Sequence, residues 1–334
     1  MFDNCFDITD GPDAPDVDFV ELDEEIVMIL TNGDELSSNN SGEGYAELDL
    51  QAPVGLPDDE KSYKFEGYRI YQLSEPNVSP SEFNSNPEKA RLVTSVDIKN
   101  GISRIYNWTP EFNPSDPTDP IWVPTLENEG VLENGISHTF SLKTDQFADG
   151  NNSLINHKKY YFTVVAYAYN NYEQFDPSDV TGQRRSYLEG RRNIGDGDAT
   201  SYTVIPRPIV YKNLNSGYGD GPIVTRIDGV GVGENNLSLS DETEIEILAG
   251  NSNGELTYKA GRSPINVKVI NPLEVVDGEF QLTFTDLDGN NDGNDDIDTE
   301  MYWQLTNLSD PSAPIYSERT IERLNEQILR EYGI

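Results

Sequence analysis

Residues Tyr160-Tyr161-Phe162-Thr163-Val164-Val165-Ala166-Tyr167-Ala168-Tyr169 form an unbroken run of aromatic, β-branched and small apolar side chains, with neither Gly nor Pro. Such a run is expected to form a central β-strand. Alternation along a strand puts Tyr160, Phe162, Val164, Ala166 and Ala168 on one face and Tyr161, Thr163, Val165, Tyr167 and Tyr169 on the other. The first set is the expected core face. Lys158-Lys159 and Asn170-Asn171 fence the strand at its ends, so its sheet partners must come from distant parts of the chain.

The remaining apolar segments are short and alternate with turn residues. Strands are expected at Phe19–Leu22 and Ile26–Leu30, weakly at Tyr45–Leu50, strongly at Tyr63–Leu73, and at Arg91–Ile98, with Ile102–Trp108 pairing back across the Asn100-Gly101 turn. Gly135–Leu142 and Ser201–Ile205 follow. Beyond Pro206-Arg207-Pro208, strands are expected at Ile223–Ile227, Ile265–Ile270, Glu279–Thr285 and Met301–Leu305. A short helix is expected within Ser238–Leu248, capped near Ser240 or Asp241. With Gly 27 and Pro 20 supplying turns, and Tyr 18 and Phe 12 supplying core material, the class is all-β.

Length suits two domains. Residues 1–16, with Gly11-Pro12-Asp13-Ala14-Pro15, are expected to be a linker. Residues 17–206 form the first domain, with the proline-rich stretch 109–135 and the segment 170–200 as long surface insertions. Residues 207–334 form a second β-sandwich-like domain, and an ending at Ile334 without a polar tail predicts that it is cut short. Met1-Phe2-Asp3-Asn4-Cys5-Phe6-Asp7 has no basic n-region or apolar h-region. The expectation is therefore a cytoplasmic protein or a piece of a longer exported one.

Two motifs carry a fold resemblance. Gly67-Tyr68-Arg69-Ile70-Tyr71 resembles the third strand of the fibronectin type III sandwich. Tyr160-x-Phe162-x-Val164-x-Ala166 resembles the strand of that fold whose first Tyr bonds back to nearby backbone. A fibronectin type III-like sandwich with long loop insertions is thus implied for the first domain. The order of Gly11–Pro15, Phe65–Tyr71, Lys89–Val93 with Asn100-Gly101, Asn156–Phe162, Gly261-x-x-Pro264-Ile265-Asn266-Val267 and Asn325-Glu326-Gln327 resembles modules of large surface proteins of the Bacteroidetes. That resemblance implies an extracellular or cell-surface location and export by the type 9 secretion system.

Sixty acidic against 23 basic residues give a formal charge of −37, a field that repels nucleic-acid phosphates and anionic membranes. No stretch approaches the ~20 apolar residues of a membrane-spanning helix. A single cysteine, Cys5, excludes an internal disulfide framework. The expected partners are a protein or glycan ligand at the cell surface, or the secretion machinery.

The densest set of potential ligands is Asp286, Asp288, Asn290, Asp292, Asn294, Asp296 and Asp298. Calcium takes six to eight oxygens, and alternation with Gly and Asn lets a tight loop turn several of them inward. The spacing from Asp288 begins like an EF-hand loop, then fails because Thr299 holds its twelfth position and Glu300 comes one residue late. A calcium loop within a β-hairpin is one reading; a solvated acidic turn is the other. Arg184, Arg185, Arg191 and Arg192 suggest an anion or partner site, or docking on the protein's own carboxylates. Trp108 and Trp122 could stack on sugar rings or pack within a loop. His138 and His157 lack zinc-site spacing, and Gly229-Val230-Gly231-Val232-Gly233 lacks the spacing of a dinucleotide loop. No nucleophile and base pair up. Three functions remain: a non-enzymatic spacer or interaction segment, a carbohydrate-binding accessory region of a secreted enzyme, and a hydrolase.

Overall fold

A computed structural model describes residues 10–33, 36–129, 135–193, 197–198, 201–230, 236–286, 301–321 and 326–334. The chain is all-β with antiparallel pairing throughout its sheets, and it divides into two compact units, Met1–Ile209 and Val210–Ile334.

In the first unit the strands are β1 (Asp16–Leu22), β2 (Glu25–Thr31), β3 (Ala46–Leu48), β4 (Ser62–Leu73), β5 (Ala90–Asp97), β6 (Arg104–Glu111), β7 (Ile121–Glu129), β8 (Thr139–Leu142), β9 (Tyr160–Tyr169), β10 (Tyr187–Glu189), β11 (Arg192–Asn193), β12 (Gly197–Asp198) and β13 (Tyr202–Val204). They build a three-stranded sheet, β1-β2-β8, and a six-stranded sheet centred on the β4–β9 pair. β3 and β5 share the outer edge of β4, while β10 and β13 share the outer edge of β9. Val17, Ile26, Met28, Leu30 and Leu142 from the smaller sheet meet Phe65, Tyr68, Ile70, Phe162, Val164 and Ala166 from the larger. Each large apolar side chain removed from water there contributes about 1.5–3 kcal/mol. As expected, Tyr160, Phe162, Val164 and Ala166 are buried, and the Tyr160 hydroxyl accepts the Ile155 N–H at 2.8 Å.

A bulge lets β4 serve this core along its whole length. Its register against β9 shifts between Phe65 and Gly67, so Tyr63 and Phe65 before the shift, and Tyr68 and Ile70 after it, all reach the same cluster. Only glycine fits at the shift, because a Cβ on Gly67 would lie 2.1 Å from the Val96 carbonyl oxygen.

The second face of β9 is buried too. Thr163, Val165 and Tyr167 are no more than 1% exposed. Val165 packs with Tyr71, Leu73, Val78 and Phe83, and Tyr167 packs with Ile105 and Tyr187. The chain between β4 and β5 covers one end of this face and the β6–β7 hairpin covers the other.

Several expectations need correction. Residues 102–108 do not pair back on β5; β6 pairs with β7. The proline-rich stretch therefore contains a strand, with Trp108 opposite Pro124 and Pro110 opposite Trp122. A two-stranded ribbon points alternate N–H groups outward, where a missing donor costs little. The segment 170–200 also contributes to the sheet through β10. Residues 11–15 are buried rather than a free linker: the Ala14 N–H donates to the Arg192 carbonyl at 2.8 Å, and a Cβ on Gly190 would meet the Pro12 carbonyl oxygen at 1.8 Å.

The second unit contains β14 (Thr225–Arg226), α1 (Asp241–Leu248), β15 (Leu256–Thr257), β16 (Phe280–Asp286), β17 (Met301–Asn307) and β18 (Ile315–Tyr316), with sheets β14-β15 and β16-β17-β18. α1 starts as expected, the Ser240 hydroxyl accepting the Thr243 N–H at 3.2 Å. Residues 265–270 are not a strand; the Val269 and Ile270 N–H groups donate to Asp220 and Gly333 carbonyls in irregular segments. Among the described residues, its buried apolar side chains are Tyr258, Val269, Ile270 and Pro272.

Candidate functional site

Of the seven proposed calcium ligands, Asp286 ends β16, and Asp288, Asn290, Asp292, Asn294, Asp296 and Asp298 lie outside the described residues. β16 and β17 pair antiparallel, with Asp286 opposite Met301, so the acidic run connects two hairpin strands. Among the described residues, no three His, Cys, Asp or Glu side chains are grouped to hold a metal.

Trp108 and Trp122 are half-buried. Phe175 lies between them, its ring centroid 5.3 Å from that of Trp108 and 5.4 Å from that of Trp122. The Arg184 guanidinium sits 5.1 Å from the Trp122 ring centre. The 170–186 segment thus occupies the surface that sequence reasoning offered to a sugar ring. The hairpin exposes Phe112 and Ile121 toward its tip and the cross-strand pair Tyr106 and Leu126 nearer its base.

The guanidinium groups of Arg184 and Arg192 have different partners. Arg184 covers Trp122, the Arg185 carbonyl accepts the Tyr63 hydroxyl, and Arg192 pairs with Asp10 at 3.0 Å. His138 Nε2 lies 2.6 Å from Glu43 Oε1, and the buried Tyr68 hydroxyl has two acceptors in reach of its one proton, Glu43 Oε1 at 3.2 Å and Asn32 Oδ1 at 3.1 Å. His157 has φ 66°, and its N–H donates to the Pro206 carbonyl at 2.9 Å.

The most developed polar arrangement is one that sequence reasoning missed. Arg69, 6% exposed, points to the outer face of the larger sheet. Its Nη1 donates to Tyr187 Oη at 3.1 Å and Asn84 Oδ1 at 3.3 Å. Its Nη2 donates to the Glu127 carbonyl and to Asn128 Oδ1. The guanidinium lies 5.3 Å from the Tyr187 ring centre and 5.8 Å from that of Tyr167, and Glu189 Oε1 is 3.8 Å from Nη1. Asn128 donates to the Tyr167 hydroxyl at 2.9 Å and Asn84 to Glu189 at 3.1 Å. One cation therefore ties β4, β9, β10, the β4–β5 connection and β7 together. Burial raises the Glu189 carboxyl above its usual range against the pull of Arg69, and burial also raises the hydroxyls of Tyr71, Tyr167 and Tyr187. The signal in the sequence was a basic residue at the centre of an apolar strand; its partners come from segments assigned to loops.

A second knot holds the β8–β9 connection. Asp145 accepts Lys158 Nζ at 2.7 Å, Gln72 Nε2 at 2.8 Å and the Phe147 N–H at 3.0 Å. Burial alone would raise this carboxyl; the three donors overcome it and hold the group below its usual value.

The chain matches nothing to which its activity could be referred: no protein-family model, no curated protein and no solved structure is significantly similar to it.

Proposed function

We propose that this chain is a non-enzymatic β-sandwich segment of a large secreted or cell-surface protein, acting as a spacer or interaction module and exported by the type 9 route. The supporting observation is how the first unit uses its buried polar groups. Arg69 with Glu189, Asn84 and Asn128, and Asp145 with Lys158 and Gln72, bind the unit's own insertions to its sheet. The fibronectin type III-like reading of that unit rests on the three-on-six strand arrangement and the Tyr160 hydroxyl contact.

The interaction face in this reading is the β6–β7 hairpin, through the exposed Phe112, Ile121, Tyr106 and Leu126. Phe175 between the two tryptophans favours a protein ligand over a glycan. The test is a glycan array run beside a pull-down from the native cell surface. Retention of a protein that is lost with Phe112→Ser and Ile121→Ser supports the hairpin. Glycan binding abolished by Trp108→Ala with Trp122→Ala would replace this reading with the carbohydrate-binding accessory region. In the native gene, a C-terminal sorting domain supports the proposed export route, whereas an adjoining catalytic domain favours the rival.

A further inference from the structure

The turn between β5 and β6 combines features that bear on the chemistry of the Asn100-Gly101 bond. Asn100 is exposed. Its side-chain Nδ2 donates to both carboxylate oxygens of Glu66, at 2.9 and 3.0 Å. Its Oδ1 accepts the Ile102 N–H at 3.0 Å. Gly101 has φ 90°, and the space where a Cβ would stand is empty to 4 Å. Glu66 itself is 4% exposed.

We propose that Asn100 is a site of spontaneous deamidation, and that the product is incompatible with its own contact. The Gly101 nitrogen gives its proton to a base and attacks the Asn100 Cγ. The Cγ–Nδ2 bond then breaks, and the amide nitrogen leaves as ammonia with an added proton. Water opens the resulting succinimide to aspartate or isoaspartate, so water is the sole co-reactant. The Ile102 N–H polarises the carbonyl under attack, as a donor aimed at a developing oxyanion does. The Glu66 carboxylate, hydrogen-bonded to the leaving nitrogen, is placed to serve proton transfer at that departing group. Gly101 presents no side chain to obstruct the approach. After hydrolysis a carboxylate at residue 100 faces the buried carboxylate of Glu66, and the two amide hydrogen bonds become a like-charge contact. The turn between β5 and β6 then loosens.

Asn253-Gly254 is an internal control. Its Oδ1 accepts the Glu255 N–H at 2.9 Å, but among the described residues no carboxylate accepts its amide. The experiment incubates the whole protein at mildly alkaline pH, folded and in concentrated urea, and follows both sites by peptide mapping with mass spectrometry. Asn100 is expected to convert several-fold faster than Asn253 in the folded protein and at a similar rate in urea. Equal or slower conversion of Asn100 in the folded protein overturns the proposal. Glu66→Gln should slow Asn100 and leave Asn253 unchanged; an unchanged Asn100 rate in a folded variant overturns the role given to Glu66. If that variant does not fold, the folded-to-urea ratio of the wild type decides. Asn100→Asp should lower the melting temperature, and a melting temperature equal to wild type overturns the predicted loosening.

Discussion

The two units draw on similar strand sequences and treat them differently. In the first, Tyr160–Tyr169 lies between two layers, with one face on the β1-β2-β8 sheet and the other under the β4–β5 connection and the β6–β7 hairpin. In the second, β16 and β17 have comparable Phe, Leu, Tyr and Trp content, yet every described residue of β17 is only partly buried and Phe284 is 51% exposed. A strand's apolar residues stabilise in proportion to how much other chain is laid over its faces, because the favourable term scales with area removed from water.

The sharpest way to break this comparison is a matched pair of truncations. Phe162→Ala, at a fully buried position, should destabilise the first unit by about 3–5 kcal/mol in urea unfolding. Phe284→Ala should cost the second unit under about 1 kcal/mol. Similar losses at the two sites would show that exposure does not separate the units.

Arg69→Ala tests whether the covering layer depends on the buried cation. It strands Glu189 and several acceptors and should cost about 3–5 kcal/mol. Arg69→Lys should not restore stability, since one ammonium cannot reproduce the forked contacts to Tyr187, Asn84 and Asn128. Full rescue by lysine would reduce the site to a point charge.

Calcium asks whether the second unit gains from a ligand. With calcium at about a hundredfold its dissociation constant, mass action gives about 2.7 kcal/mol. The melting temperature of the second unit should then rise relative to sodium at equal ionic strength, and Asp288→Ala with Asp292→Ala should remove the difference. Titration calorimetry without saturable binding at millimolar calcium would leave the acidic run as a solvated turn.

The smallest effect is on the acid limb of the first unit. Asp145 has a folded pKa below its unfolded value of about 3.9, so its contribution is present above that pH and lost as pH falls through the lower folded value. Asp145→Asn should flatten that limb and remove about 1–3 kcal/mol at neutral pH. Glu189 has the opposite sign: its raised folded pKa means the folded state holds the proton longer, so its contribution declines as pH rises through that value. Glu189→Gln should remove that opposing slope. Parallel acid limbs for wild type and both variants would show that neither carboxyl couples to folding.

Local pattern determined much of this protein. Run length and period placed β9 at its observed bounds, put β4 and β5 within a residue or two, and put the start of α1 at Ser240 or Asp241, of which Ser240 is the cap. The Asn100-Gly101 turn was legible because positive φ is a property of the residue. Tertiary structure decided what the local pattern leaves open. Prolines around Pro124 argued against a strand, yet a two-stranded ribbon accommodates them. Gly11-Pro12-Asp13-Ala14-Pro15 has the composition of a linker, but Gly190 lets it pass close to the sheet edge. The second buried face of β9 and the anchoring of Arg69 depend on segments far apart in the chain, as Asn84, Asn128 and Tyr187 are from Arg69. Strand periodicity specifies which side chains share a face; it carries no information on what that face meets, because that depends on contacts between residues remote in sequence.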